Sequence, residues 1–558
     1  MRFTRFLRLA VACLLAISGN AAGARTAGAQ ASIVPASHPV YDWLLQQRVA
    51  GDLPAYQHEV RPMSRATILE HLHTLEALGP RFSARNRHLL EDFLNEFDMK
   101  RLAGNRAFTA AFFRGLPRSL IGAIRERRDP VLYAGFTRDS SASGAIYRMI
   151  GNGALALDER GATSSSYIVL GGIKAIFNTS FGLGYHVEMD NIYAANSRPL
   201  IARIPRWGTE ALKDSSDTSF GYETFLSFRT KKYFEAYLGR GAQSLGAAVV
   251  DPLVLRVDAP FLGTARMQIG TSRLNFTYVH TQLYATTTDD TLIYQGAPIV
   301  ERHAPQRFMV SHRLTWRPTD KVTLAAHEEM VYANRGLELN YLVPVMPLIF
   351  FQAGGGDQDN LLAGGDLTVR PWRGTELLGS LLVDDANDTW GPYQKIALVG
   401  IEQRLTPALR LGASYTTSDP WTYTHHFRLN TWETHDKPLG AELGPNGQEW
   451  AARLTAWLPM RTRVMGGYRF IRRGLNPVDA QGHAIRDVGG DLLRGLPVSF
   501  EPRYHNADVH DIRRLELEAQ TEFIRGLNFS VRVRNDDVLK GTQLPSARFI
   551  DFRMRFGF

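Results

Sequence analysis

SARFIDFRMRFGF, residues 546–558, decides how the rest of the chain is read. Ile550, Phe552, Met554, Phe556 and Phe558 are apolar, and their alternates Asp551, Arg553, Arg555 and Gly557 are charged or small. Neighbouring side chains in a strand point to opposite faces, so this strand has one greasy face and one ionic face. In a soluble sheet another layer covers the greasy face. Here an aromatic residue ends the strand and no later segment is left to cover it, so lipid is the solvent that suits that face. The competing reading, an edge strand of a soluble sandwich, loses ground as the other segments are read.

The terminal strand also resembles that of bacterial outer-membrane proteins as a class, which commonly finish on Phe. The resemblance implies that Phe558 belongs to an insertion signal for the barrel-assembly machinery and that outer-membrane lipid surrounds the chain. A chain of 558 residues has room for one large barrel and an accessory domain. Residues 1–29 read as a signal peptide, with Arg2, Arg5 and Arg8 at its start, an apolar core from Leu7 to Ile17 and small residues Ala27-Gly28-Ala29 at the cleavage site. That core is too short to span a bilayer. The sole cysteine, Cys13, lies within it, so a processed chain is expected to have no thiol, disulfide or cysteine metal site. No later stretch is long and apolar enough for a membrane helix. A hydrophobic content of 44% suits a barrel, where only alternate strand residues need be apolar. The net charge is +9, but no basic cluster is interleaved with aromatics, so nucleic acid is not an expected partner.

Residues 30–130 read as a periplasmic helical bundle with a linker. Val40, Trp43, Leu44 and Val49 share one side of a first segment. Ser64 is placed to cap a second, with Ile68, Leu69, Leu72, Leu75 and Leu78 at three- and four-residue spacing before Gly79-Pro80. Ser83 caps a third, whose stripe is Leu89, Leu90, Phe93, Leu94, Phe97 and Leu102.

From residue 131 the remainder reads as an all-β membrane barrel of about 18 antiparallel strands. The period of two predicts strands at 145–157, 166–178, 181–192, 220–230, 233–239, 251–259, 264–286, 307–317, 321–333, 361–371, 375–385, 393–404, 408–417, 449–458, 462–472, 509–523, 527–538 and 547–558. Short connections such as 178–180, 230–232, 260–263 and 318–320 alternate with long ones such as 193–219, 287–306, 334–360, 418–448 and 473–508. Short turns on one rim and long loops on the other mark a membrane barrel, with the short rim periplasmic. The even count leaves both barrel ends beside the helical bundle. Facing is equally regular. Phe308, Val310, Leu314 and Trp316 face out while Ser311, Arg313 and Thr315 face in. A hairpin near Arg525 sets Glu518 opposite Arg532 and Glu516 opposite Arg534 on the inner face, as expected of a crowded lumen.

Residues 307–384, 34–69 and 237–258 resemble the capsule-assembly Wzi family. The most distinctive pieces are Asn334-Arg335-Gly336-Leu337-Glu338, Tyr341-Leu342-Val343-Pro344 and Asp357-Gln358-Asp359-Asn360. The resemblance implies an eighteen-stranded outer-membrane barrel with a periplasmic helical bundle, acting as a lectin that holds capsular polysaccharide on the cell surface. A surface polysaccharide is thus the implied partner. The alternative function is a channel for anionic or sugar solutes, suggested by the arginine-lined interior.

Sugar binding needs flat aromatic faces beside carboxylates, amides and guanidinium groups. Loop 418–448 is densest in these, with Trp421, Tyr423, Trp432 and Glu433, and loop 193–219 adds Tyr193 and Trp207. Aromatic girdles at the membrane interface are the competing explanation for such residues. In loop 334–360, Arg335, Glu338, Asp357, Asp359 and Asn360 come together near the mouth as a salt-bridged anchor or, on a weaker signal, a calcium site. Gly354-Gly355-Gly356 lets that loop fold inward as a constriction. No nucleophile motif accompanies His312, His327 or Glu328-Glu329, and no phosphate loop, zinc motif or dinucleotide fingerprint occurs in context. A non-enzymatic protein without cofactor or metal is expected.

Overall fold

The computed structural model describes residues 30–98, 133–136, 142–158, 163–179, 181–195, 216–230, 233–284, 288–294, 297–303, 305–355, 359–384, 394–425, 427–435, 437–493, 502–524 and 527–557. The expected signal peptide therefore lies outside the described residues, as do most of the linker, Trp207, Asp357 and Phe558.

Three helices form the N-terminal bundle: α1 (Val40–Ala50), α2 (Arg65–Glu76) and α3 (Ala84–Phe97). Both expected caps are present. The Ser64 hydroxyl accepts the Thr67 N–H at 3.2 Å, and the Ser83 hydroxyl accepts that of Asn86 at 3.3 Å. Each satisfies an amide that the first helical turn leaves open. Ile68, Leu72 and Leu75 meet Leu89, Leu90, Phe93 and Phe97 in one core, completed by Trp43 and by Trp457 from the barrel.

The barrel is closed and contains nineteen strands among the described residues. Eighteen are staves: β1 (Ala142–Asp158), β2 (Thr163–Asn178), β3 (Leu183–Ala195), β4 (Ser216–Arg229), β5 (Phe234–Gly241), β6 (Leu262–Gly270), β7 (Leu274–Leu283), β8 (Arg307–Trp316), β9 (Val322–Ala333), β10 (Asn360–Val369), β11 (Thr375–Asp384), β12 (Gln394–Arg404), β13 (Leu409–Ser418), β14 (Gly447–Leu458), β15 (Thr462–Leu475), β16 (Asp508–Ile524), β17 (Leu527–Lys540) and β18 (Ala547–Gly557). The nineteenth, Tyr133–Phe136, pairs with the start of β1 alongside β18. Closure is made by β18 on β1, from Ala547 opposite Asp158 to Gly557 opposite Arg148.

The count of staves agrees with the sequence reading because two errors cancel. Residues 251–259 are not a stave; they belong to an inward loop, 242–261. Conversely, 264–286 is not one strand but the hairpin β6–β7, turning at 271–273. Gly270, at φ 132°, makes that turn possible, since a Cβ there would lie 2.2 Å from the Leu274 carbonyl oxygen. The alternation of apolar residues runs on through the turn and conceals it.

The register expected in the lumen is present: Glu518 stands opposite Arg532, and Glu516 opposite Arg534. The ion pairs themselves run diagonally or along one strand, which corrects the expected partners. Arg532 reaches Glu516, Glu518 turns to Arg463 on β15, and Arg534 pairs with Asp536 at 2.5 Å. Long side chains bridge the diagonal easily in a twisted sheet, and β15 gives Glu518 a second neighbouring strand to choose from.

Candidate functional site

The two mouths of the barrel are treated differently. On the short-turn rim, α1 and its flanking residues enter the opening. Arg48 donates to both Glu376 oxygens, at 2.9 and 2.6 Å, and to Glu59 at 2.9 Å, with all three side chains buried. Burial pushes the Glu59 carboxyl up, but the Arg48 charge and hydrogen bond outweigh it and hold the group down at about 2. Around this triad, Asp42 accepts from Arg410 and from the Trp457 indole, and Arg461 binds Glu96 at 2.5 Å. The cavity left between Arg48, His58, Glu59, Ala247 and Glu376 is about 10 Å³, enough for a single water.

Further up, loops 242–261 and 419–446 fold inward and fill the lumen. Val249, Leu253, Val254 and Leu255 pack against Tyr423, Trp432, Leu439 and Leu443 and against inward residues of β10–β12. Backbone polar groups of the loops are matched: the Trp432 indole N–H donates to Val254 O at 3.0 Å, the Tyr423 hydroxyl to Leu253 O at 2.6 Å, and Arg256 N–H to Leu439 O at 2.9 Å.

This arrangement corrects the expected sugar platform. Trp421, Tyr423 and Trp432 are 1%, 0% and 0% exposed, so their ring faces stack on protein and offer nothing to a ligand. Glu433 is buried against Arg307 and ties the loop to β8. Tyr423 and Trp432 belong to the plug, Glu433 fastens its loop, and the Trp421 N–H donates to Gly489 O at 3.0 Å. Tyr193 lies in β3 opposite Val169 and Thr218 in the backbone register.

Loop 419–446 also carries charged residues. These join an ionic cluster beside the plug, where Arg469 and Arg514 stand one inward position below Ile471 and Ile512 of the hydrophobic cluster. Arg469 binds Asp251 at 3.0 Å, Glu442 at 2.9 Å and Glu449 at 2.5 Å, and Arg514 binds Glu442 at 2.8 Å. Two carboxylates of this cluster remain accessible: the Asp258 side chain is 57% exposed while held by Arg256 at 3.2 Å, and that of Glu442 is 36% exposed. Lys437 lies within electrostatic reach of Arg256, Asp258 and Glu442. Beside it, His435 stacks on Tyr284 with centroids 4.6 Å apart, and Tyr284 N–H donates to the Thr434 hydroxyl at 3.2 Å. An aromatic pair next to fixed carboxylates and cations can hold a hydroxyl-rich ligand. Loop 242–261 supplies Arg256 and Asp258 where a strand over 251–259 is expected; the sequence signal against that strand is Pro252, which the interior of a central stave does not tolerate.

The described residues of loop 334–360 do not enter the mouth either, contrary to the expected constriction. They fold down the outer wall of the barrel. Arg335 pairs with Glu338 and Asp359, the Tyr341 hydroxyl donates to Asp359 at 2.6 Å, and Asn360 is buried as the first residue of β10. The salt-bridged anchor is thus present, and it fastens the loop to the outside.

No family model and no curated protein sequence matches the chain. Among solved structures, it is similar to Wzi of Escherichia coli, an outer-membrane protein involved in group 1 capsule assembly and a carbohydrate-binding β-barrel, at 13% identity and a TM-score of 0.54, covering 94% of this chain and 99% of that one. It is also similar to OpdO of Pseudomonas aeruginosa, at 9% identity and a TM-score of 0.42 over 75% and 97% of the two chains. OccK2 (OpdF) of the same organism, solved with glucuronate, gives 9% and 0.42 over 76% and 99%. The eighteen staves, their closure and the likeness to Wzi make this chain an outer-membrane β-barrel with the Wzi fold.

Proposed function

We propose that this protein binds a surface polysaccharide at its extracellular rim and keeps it on the cell, without transporting or cutting it. The observation that carries this reading is closure. The bundle seals the periplasmic mouth through Arg48, Glu59 and Glu376, and two inward loops pack a hydrophobic plug above it. A barrel blocked at two levels offers its outer surface, and among the described residues Asp258, Glu442 and the half-buried Lys437 lie there beside Tyr284 and His435. The Wzi barrel is described as carbohydrate-binding, which supports the same class of ligand. Individual contacts to a polymer can be weak, since a repeating chain engages many copies of the protein at once.

The competing reading is a channel, favoured by the partly exposed Arg463, Arg532 and Arg534 on the inner face of β15–β17. Each of these is paired with a carboxylate, which leaves a charge-balanced wall better suited to hydroxyl groups than to anions. Surface polysaccharide on cells carrying the triple change Tyr284→Ala, Asp258→Asn and Lys437→Gln tests the site. Polymer is expected in the medium, with synthesis and barrel folding intact, and purified polymer should bind the variant at least about tenfold more weakly, a loss of about 1.4 kcal/mol. Wild-type retention after deletion of the whole gene, together with ion conductance of the purified barrel, would overturn the anchor in favour of the channel.

A further inference from the structure

Outward positions on β7–β9 carry polar groups where a lipid-facing wall calls for apolar ones. Register places Tyr278 opposite His312, and His312 opposite Glu328. His312 Nδ1 and Glu328 Oε1 are 2.9 Å apart. The depth of this pair follows from the strand. Trp316, at the short-turn end of β8, is 52% exposed and marks the lower edge of the apolar wall. A strand rising about 3.4 Å per residue and tilted about 40° climbs roughly 2.6 Å per residue, so a band about 25 Å tall takes about ten residues. From Trp316 that band reaches Arg307, and His312 stands about 10 Å above its lower edge, near mid-bilayer.

A carboxylate on the lipid face near the midplane is strongly disfavoured unless it is covered. The segment that covers it is loop 334–360. Its short helix α4 (Leu348–Gly355) brings the Leu348 N–H to Glu328 Oε1 at 3.0 Å, and Leu348 itself is buried. Tyr341 stacks on Tyr332 at 4.7 Å, and its carbonyl accepts the Tyr278 hydroxyl at 2.8 Å. Met330, Val310 and Phe308 complete an apolar and aromatic layer between wall and loop. The opposite side of the loop is apolar as well, with Leu339 78%, Val345 72% and Phe350 63% exposed.

We propose that residues 337–350 are a lipid-embedded flap, through which β7–β9 meet the acyl chains of the outer leaflet by way of Leu339, Val345, Ile349 and Phe350. The occupant is set by continuity. The flap lies on the same outer wall as the exposed Leu314, Trp316 and Leu324, above them and within the height of the bilayer. The inference is independent of the ligand proposed for the extracellular rim.

Single-cysteine variants test it, in a background where Cys13, the only cysteine in the sequence, is serine. Val345→Cys and Phe350→Cys are labelled with an environment-sensitive fluorophore, and the purified barrel is reconstituted in phosphatidylcholine vesicles. Gln481→Cys, on an exposed outer loop, is the comparison. The flap labels are expected to emit to the blue of the Gln481 label, to lose about half or more of their intensity to a lipid spin-labelled on the acyl chain, and to resist aqueous iodide. Iodide quenching equal to that at Gln481 would overturn the proposal. So would protection from both quenchers with energy transfer between labelled copies, which would put a second barrel on the flap.

Discussion

Replacing Arg48 with methionine should unseat the periplasmic bundle while leaving the barrel intact. Arg48 is the cation between Glu376 and Glu59, and it also donates to Tyr56 O at 3.1 Å. With methionine there, Glu376 keeps Arg370 at 3.2 Å, but Glu59 loses the guanidinium that holds its pKa at about 2. Removing one partner from a buried pair costs about 3–5 kcal/mol, because the other charge stays in a dry site. At about 1.4 kcal/mol per factor of ten, the open bundle becomes roughly a hundredfold to a few thousandfold more populated. Hydrogen exchange of the α1 amides reads that population directly when opening and closing are fast, and proteolysis between α1 and α3 reads it in parallel. Arg373→Ala is the contrast, since Arg373 is exposed where it pairs with Asp52. An exposed pair of this kind contributes about 0.2–1 kcal/mol, so exchange should rise less than about fivefold. If Arg48→Met changed α1 exchange by no more than Arg373→Ala does, the triad would not be what seats the bundle.

Trp432→Ala should open a cavity in the plug at a cost of about 3–5 kcal/mol, leaving heat-modifiable mobility unchanged while brief conductance steps appear in planar bilayers; a silent bilayer would mean that the plug does not depend on this residue. Acidification should loosen the bundle through its half-buried imidazoles. Burial, aided by Arg317 and Arg229, depresses His71 to about 4, so its contribution is complete above pH 6.5 and is lost as pH falls toward 4. α1 exchange should therefore rise over that window, and His71→Phe should flatten the slope without abolishing it, because burial depresses His58 as well. Removing Phe558 should lower the amount of barrel reaching the outer membrane, and unchanged levels on immunoblots would remove it from the insertion signal.

Much of the wall was legible because the wall is a local pattern. Alternation within about ten residues names the face of each side chain, so β8, β16, β17 and β18 could be placed and registered without knowing their neighbours. The helices likewise announce themselves by Ser64, Ser83 and the stripes that follow them. One warning was also present. His312 and Glu328 fall in the outward register of β8 and β9, where lipid should be, and a polar pair there calls for a cover.

What the tertiary structure decided is where the long loops go. Trp432 and Val254 are 178 residues apart, and their hydrogen bond converts an expected sugar platform into a plug. The same composition of Trp, Tyr and acid groups serves either role, and only the partner across the lumen distinguishes them. Loop 334–360 shows the same limit: its glycines permit a fold inward or outward, and the Tyr332–Tyr341 stack with the Leu348 amide on Glu328 selects outward. Strand facing is set by the pleat of a single segment, whereas loop direction is set by contacts between segments distant in the chain, and no local period records those.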